Sequence, residues 1–299
     1  MSPKNRNILH FLQNFNVEQL YWYYEFGRSR RKISVDEFKQ SLDQIDRPVF
    51  FLSTGRTGTQ WFANLFSKAE GLKAYHAPSP DLAAQNFFAY GLQKNDLLEK
   101  EQVNEILEHI FLAGREDYLR YSYKCKRRYL ETNNHITFFA YTIAKLLPQA
   151  RFVHVHRHPG DFVSSGLKRS WYSQDRKGTR QITPVKGQAK AEWSSYSDIG
   201  KITWLWKETN SFIETFKQNI PSERVFTFDF SSMDVDSLRE LIGFTETRIS
   251  ENRIRKEMNR RLNDQRFLSS EKYANWPDAD KQLLTDVCIP LAKEYHYKL

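Results

Sequence analysis

The stretch PVFFLSTGRTGTQWFANLF, residues Pro48 to Phe66, decides how the chain is read. Val49, Phe50, Phe51 and Leu52 form a short apolar run of the kind that makes a buried parallel strand, and Trp61, Phe62, Leu65 and Phe66 follow at helical spacing. Between them lies the polar turn Ser53-Thr54-Gly55-Arg56-Thr57-Gly58-Thr59. Its two glycines permit a tight turn in which successive amides face an anion on the helix N-terminus, while Arg56, Thr57 and Thr59 add a charge and two hydroxyls. A phosphate-cradling loop is the expectation, and a strand-to-helix turn without a ligand is the alternative. The loop is not a Walker A sequence, because Gly58 is followed by Thr59 and Gln60 rather than by Lys and a hydroxyl residue.

A second stretch with the same order is RFVHVHRHPGDFVSSGLKRSWY, Arg151 to Tyr172. Phe152 to His156 reads as a strand, Pro159 suits the first turn of a helix, and Asp161 suits that helix's positive end. Thr54 to Trp61 resembles the 5'-phosphosulfate loop of sulfotransferases, which use 3'-phosphoadenosine 5'-phosphosulfate (PAPS). Arg157 to Ser165 resembles their 3'-phosphate element. The resemblance covers about residues 48 to 245. It implies that Arg56 holds the transferred sulfonate, that Thr57, Gly58, Thr59 and Gln60 hold the 5'-phosphate, with Thr54 and Gly55 in the same loop, and that Trp61 lies against the adenine. Arg157 and Ser165 would grip the 3'-phosphate from strand end and helix. The alternative for Arg157 is a strand cap paired with Asp161.

Strands alternating with helices predict a three-layer α/β/α fold around a central parallel sheet, of the P-loop-like sulfotransferase type the resemblance implies. No Gly/Ser-rich or Pro-rich linker interrupts the 299 residues, so one domain is expected over 1–299. It divides into a helical N-terminal extension (1–47), a core (48–245) and a helical C-terminal segment (246–299). Ser34 and Glu37 stand in capping-box register near the end of the first of these.

The formal net charge is +9, which favours anionic partners: nucleotide, sulfated or phosphorylated glycan, nucleic acid or a membrane surface. The cations are dispersed, which speaks against a nucleic-acid-binding protein; peripheral membrane contact stays open. The cluster Tyr21 to Lys32 mixes rings with cations, suiting either base stacking or packing on the domain. Two cysteines, Cys125 and Cys288, fit no metal or redox spacing, and neither a signal peptide nor a long apolar span is apparent. A reduced, cytoplasmic setting is the expectation. The sequence leaves oligomeric state open.

For proton abstraction from an acceptor hydroxyl or amine, His76 leads, at the end of a strand read at Leu72 to His76, with Asp81 and Glu131 behind it. Relatives often carry a Glu after this strand; here the sequence reads His76-Ala77-Pro78. Residues 81–117 read as helical and Arg120 to Cys125 as a third strand; the segment Lys124 to Asn133 resembles the one by which sulfotransferases bring a cation towards the sulfonate, and that resemblance implies Lys124 or Lys126 for the role. His154, His156 and His158 alternate along one strand face, a zinc-compatible pattern that a cofactor-side strand end explains equally, so no metal is assigned. Arg176-Lys177-Gly178 reads as a lid or acceptor loop. Arg260, Arg261 and Arg266 are further candidates for the 3'-phosphate. A P-loop kinase using the same cradle for ATP is the competing enzyme reading.

Overall fold

The computed structural model describes residues 34–173, 181–260 and 273–299. Among them are five strands: β1 (Val49–Ser53), β2 (Leu72–Tyr75), β3 (Arg128–Thr132), β4 (Arg151–His156) and β5 (Val225–Asp229). All pair in parallel, in the order β2-β3-β1-β4-β5. The crossover from β3 to β4 passes over β1, so the loop after β1 opens at a topological switch point, where ligands of such sheets bind.

The helices are α1 (Val35–Ser41), α2 (Thr59–Phe66), α3 (Ala83–Lys94), α4 (Lys100–Cys125), α5 (Ala140–Leu146), α6 (Pro159–Leu167), α7 (Gly187–Glu192), α8 (Asp198–Lys217), α9 (Val235–Phe244), α10 (Glu251–Met258) and α11 (Asp278–Glu294). Every residue of β1 is buried. Its alternation divides the core into two layers. Phe50 and Leu52 pack with Tyr129, Phe152, Phe111, Trp206 and Leu284 on one side, while Val49 and Phe51 pack with Leu130, Val153, Phe62, Phe66 and Leu238 on the other. Covering both faces is what makes the strand read as an unbroken apolar run.

Cap chemistry sets several helix starts. Ser34 accepts from the Glu37 amide, Ser197 from Gly200, and Asp234 forms a reciprocal capping box with Ser237. Pro159 occupies the first turn of α6, behind His158 as its N-cap.

One expected element is wrong. Arg120 to Cys125 is not a strand but the last part of α4, and β3 begins only at Arg128. Val103, Leu107, Phe111, Gly114, Arg115, Tyr118, Leu119 and Ser122 are buried at helical spacing, and that stripe overrides the local alternation of RYSYKC. The helix ends where Lys126 turns left-handed, φ 51°. The expected helix over 81–117 is two helices, α3 and α4. The ring-and-cation cluster Tyr21 to Lys32, Arg176-Lys177-Gly178, Arg261 and Arg266 lie outside the described residues.

Candidate active site

The loop between β1 and α2 turns on three left-handed residues, Gly55 (φ 80°), Arg56 (φ 58°) and Gly58 (φ 72°). Gly58 permits no side chain, since a Cβ there would lie 2.3 Å from the Phe230 ring. As N-cap of α2 it offers no side-chain cap, which leaves the helix's positive end for an anion. Thr57 points its hydroxyl inward: the residue is fully buried and its Oγ1 has no hydrogen-bond partner. A buried, unsatisfied hydroxyl costs about 1–3 kcal/mol, so it suits a site completed by an acceptor such as a phosphate oxygen. Behind the loop, Thr137 Oγ1 accepts from the Ser53 amide and donates to the Ser53 carbonyl, fixing β1's end against the segment after β3.

The two motifs meet. Arg56 Nε donates to Ser165 Oγ at 2.9 Å across 109 residues of sequence, and Arg157 Nη1 donates to the Arg56 carbonyl at 3.1 Å. Burial, then the nearby charges of Arg169 and Arg157, push the Arg56 pKa down to about 10. Cations crowded in this way are stabilised by any anion placed among them. Arg157 lies over the Phe230 ring, 5.8 Å from its centroid, and 3.6 Å from the half-exposed Asp161 carboxylate. The sequence alternative for Arg157 is therefore present as a loose ion pair. Its carbonyl is held by Trp206 Nε1 at 2.9 Å.

His76 stands at the carboxyl end of β2, where its Nδ1 lies 2.9 Å from the Thr132 carbonyl. A carbonyl only accepts, so Nδ1 carries the proton and Nε2 keeps its lone pair. Burial lowers the imidazole pKa against the opposing pull of that hydrogen bond, so the ring is neutral at neutral pH. Its strand is two removed from β1, about 10 Å at ordinary strand spacing.

The other expected site residues are placed differently. Lys124 is exposed on the last turn of α4, at the amino edge of the sheet, and lines a separate cavity there with Lys126 and Arg127. It is at the wrong edge to meet a leaving group. Glu131 is fully buried and salt-bridged to Arg115 at 2.7 Å, with Tyr129 and Asn133 also donating to its oxygens. No lone pair on it faces a substrate. Trp61 is turned into the core, edge-on to Phe62, and its indole N–H donates to the Glu257 carbonyl at 2.9 Å. An indole that finds a backbone acceptor packs inward, so the face expected to meet adenine is not presented. Asp81 accepts from the Ala83 amide at the start of α3, and exposed Arg260 lies 3.9 Å from Glu257.

His135 was missed. It follows β3, directly beside β1, and walls a small cleft with Ser53, Thr54, Asn86, Asn134 and Thr209. Setting β3 at 128–132 puts residues 133–135 at the carboxyl edge; placing the strand too early concealed this. The three alternating histidines have protein partners. His154 contacts Asn210 Oδ1 (3.0 Å) and Glu214 (3.3 Å), His156 contacts Tyr297 (2.7 Å), and His158 accepts from the Gly160 amide while its Nε2 contacts the Lys298 carbonyl.

Among solved structures the chain is similar to a sulfotransferase domain from the curacin biosynthetic pathway (13% identity, 85% of this chain and 99% of that one, TM-score 0.51). It is similar to sulfotransferase STF9 from Mycobacterium avium (12%, 95% and 87%, TM-score 0.51) and to a sulfotransferase from Alicyclobacillus acidocaldarius (16%, 85% and 98%, TM-score 0.50). At such identities the likeness speaks for the fold alone. No curated protein matches the sequence significantly. The sequence profile of the Sulfotransferase family matches residues 48–242, spanning both motifs and the five strands whose edge they occupy. That match covers well over half of the chain, which therefore belongs to the sulfotransferase family.

Proposed function

We propose that the sulfonate donor is PAPS and that the acceptor group is a hydroxyl or amine. The observation that carries this reading is the Arg56–Ser165 hydrogen bond, which joins the two phosphate motifs into one cationic cradle. The cradle fits such a nucleotide: the buried Thr57 hydroxyl, the glycine turn and the α2 N-terminus suit one anion, and Arg157 with Ser165 suits a second. When bound, PAPS supplies an activated sulfonate. Arg56 neutralises charge on the departing phosphate, and the loop amides hold its oxygens without reorganising. His76, its lone pair on Nε2, accepts the acceptor's proton; His135, in the cleft wall itself, is the competing acceptor.

Calorimetry with 3'-phosphoadenosine 5'-phosphate (PAP), AMP and ATP with magnesium tests the donor. PAP should bind tightest. Losing a charge-assisted contact worth about 1.5–3 kcal/mol, Arg157→Ala should weaken PAP roughly tenfold to a hundredfold and leave AMP nearly unchanged. Equal affinity for PAP and AMP, or preference for ATP with magnesium, would favour the kinase reading instead. His76→Ala and His135→Ala, assayed for transfer with PAP affinity as control, assign the proton acceptor.

A further inference from the structure

The turn that carries Arg157 is gripped by residues that neither phosphate motif contains. Beyond α11 the chain continues as Tyr295-His296-Tyr297-Lys298-Leu299, and this segment lies against the end of β4. The Tyr295 ring stacks on His156, with centroids 4.1 Å apart and planes 13° apart, and its hydroxyl donates to Glu214 at 2.7 Å. The Tyr297 hydroxyl meets two groups at once, Asp229 at the end of β5 and His156 Nδ1 at 2.7 Å. A phenol has a single proton to give. The Asp229 carboxylate only accepts, so that proton goes to Asp229, and His156 Nδ1–H donates to the phenol oxygen. At the next residue, the Lys298 carbonyl accepts from His158 Nε2–H at 3.0 Å, which leaves His158 Nδ1 to accept from the Gly160 amide.

Arg157 therefore sits between two histidines whose side chains this segment fixes. Its carbonyl is held by Trp206, whose ring meets Tyr295 edge-on. The Phe230 ring beside its guanidinium is tied to the same turn, because the Phe230 amide donates to the His156 carbonyl at 2.9 Å. Asp229 closes the circuit: it accepts from the Ser231 amide, and Ser231 Oγ accepts from the His158 amide at 2.9 Å. A backbone ordered in advance on both sides of a cation lowers the cost of binding an anion to it.

We propose that Tyr297 is a positioning residue for the 3'-phosphate site. By bridging Asp229 and His156 it orients the turn from which Arg157 reaches the nucleotide, and what it adds is selectivity for a 3'-phosphorylated nucleotide. This rests on the reading of Arg157 as the 3'-phosphate ligand. The test is calorimetry with PAP and AMP on wild type, Tyr297→Phe, Arg157→Ala and the double variant. Tyr297→Phe keeps the ring that touches His156 and His158 and removes only the bridging hydroxyl. It should weaken PAP roughly threefold to tenfold, the worth of one hydrogen bond, and leave AMP unchanged. Added to Arg157→Ala, the same change should alter PAP affinity by less than about twofold, because both act through one group. A loss shared equally by PAP and AMP marks a residue that supports only the fold, and unchanged PAP affinity shows that the bridge positions nothing; either overturns the proposal. So does a Tyr297→Phe loss that persists in full beside Arg157→Ala. Equal affinity of the wild type for PAP and AMP would remove the 3'-phosphate reading itself and this proposal with it, so the two failures appear in different proteins.

Discussion

Replacing Glu131 separates a structural carboxylate from a catalytic one. Its Oε2 accepts from Arg115 Nε (2.8 Å) and the Tyr129 hydroxyl (2.6 Å), and its Oε1 from Arg115 Nη2 (2.7 Å) and Asn133 Nδ2 (3.0 Å). Both partners of the ion pair have 0% side-chain exposure. Arg115 also donates to the Pro80 carbonyl, and Asn133 to the Asp81 carbonyl, so the network holds the loop between His76 and α3. In Glu131→Gln, one of the two oxygens becomes an amide that can only donate, and it must face groups that also donate. The guanidinium stays buried without a counter-charge. Breaking one partner of a buried pair costs about 3–5 kcal/mol, which corresponds to a melting shift on the order of 10 °C in a chain of this size. Urea unfolding of wild type, Glu131→Gln and Arg115→Met/Glu131→Leu measures it. The double variant, which removes both charges and keeps apolar volume, should recover most of the loss. A Glu131→Gln loss below about 1 kcal/mol, with transfer activity abolished, would refute the reasoning and return Glu131 to the role of base.

Arg56→Ala should abolish transfer while leaving stability unchanged or slightly raised, because burial and the charges of Arg169 and Arg157 already disfavour this guanidinium; a stability loss above about 2 kcal/mol would mean it is structural instead. Lys124→Ala should retain transfer within about twofold, since the side chain is exposed at the opposite sheet edge, and a hundredfold loss would contradict the placement of α4. Stability should fall as pH drops below about 6.5, because burial first, and then His154, hold the His156 pKa down to about 3 while the unfolded chain takes up the proton near its ordinary value. Denaturation curves at about pH 7 and about pH 5 measure this, with a limit of about 1.4 kcal/mol per pH unit for the one proton. His156→Phe should flatten that dependence, and stability rising on acidification would contradict it.

The sequence by itself determined the elements whose signals are local. The apolar run 49–52 and the glycine turn after it specified β1 and its loop, because a strand covered on both faces admits only apolar residues and a left-handed turn favours Gly. Pro159 with Asp161 placed α6, and Ser34 with Glu37 placed the start of α1, for the same reason: each signal lies within a few residues of its effect. Tertiary structure decided what depends on partners distant in sequence. Local alternation at 120–125 gave way to a helical stripe that only the packing of α4 against the sheet reveals, and this error moved Lys124 to the wrong edge and hid His135. Glu131 looked like a free carboxylate until Arg115, 16 residues away, was found on both of its oxygens. The Arg56–Ser165 contact spans 109 residues, and the sheet order that creates it follows from the β3-to-β4 crossover passing over β1. Spacing along the chain encodes a helix or a turn, whereas which side chain meets which across a sheet edge is fixed by the packing of whole layers.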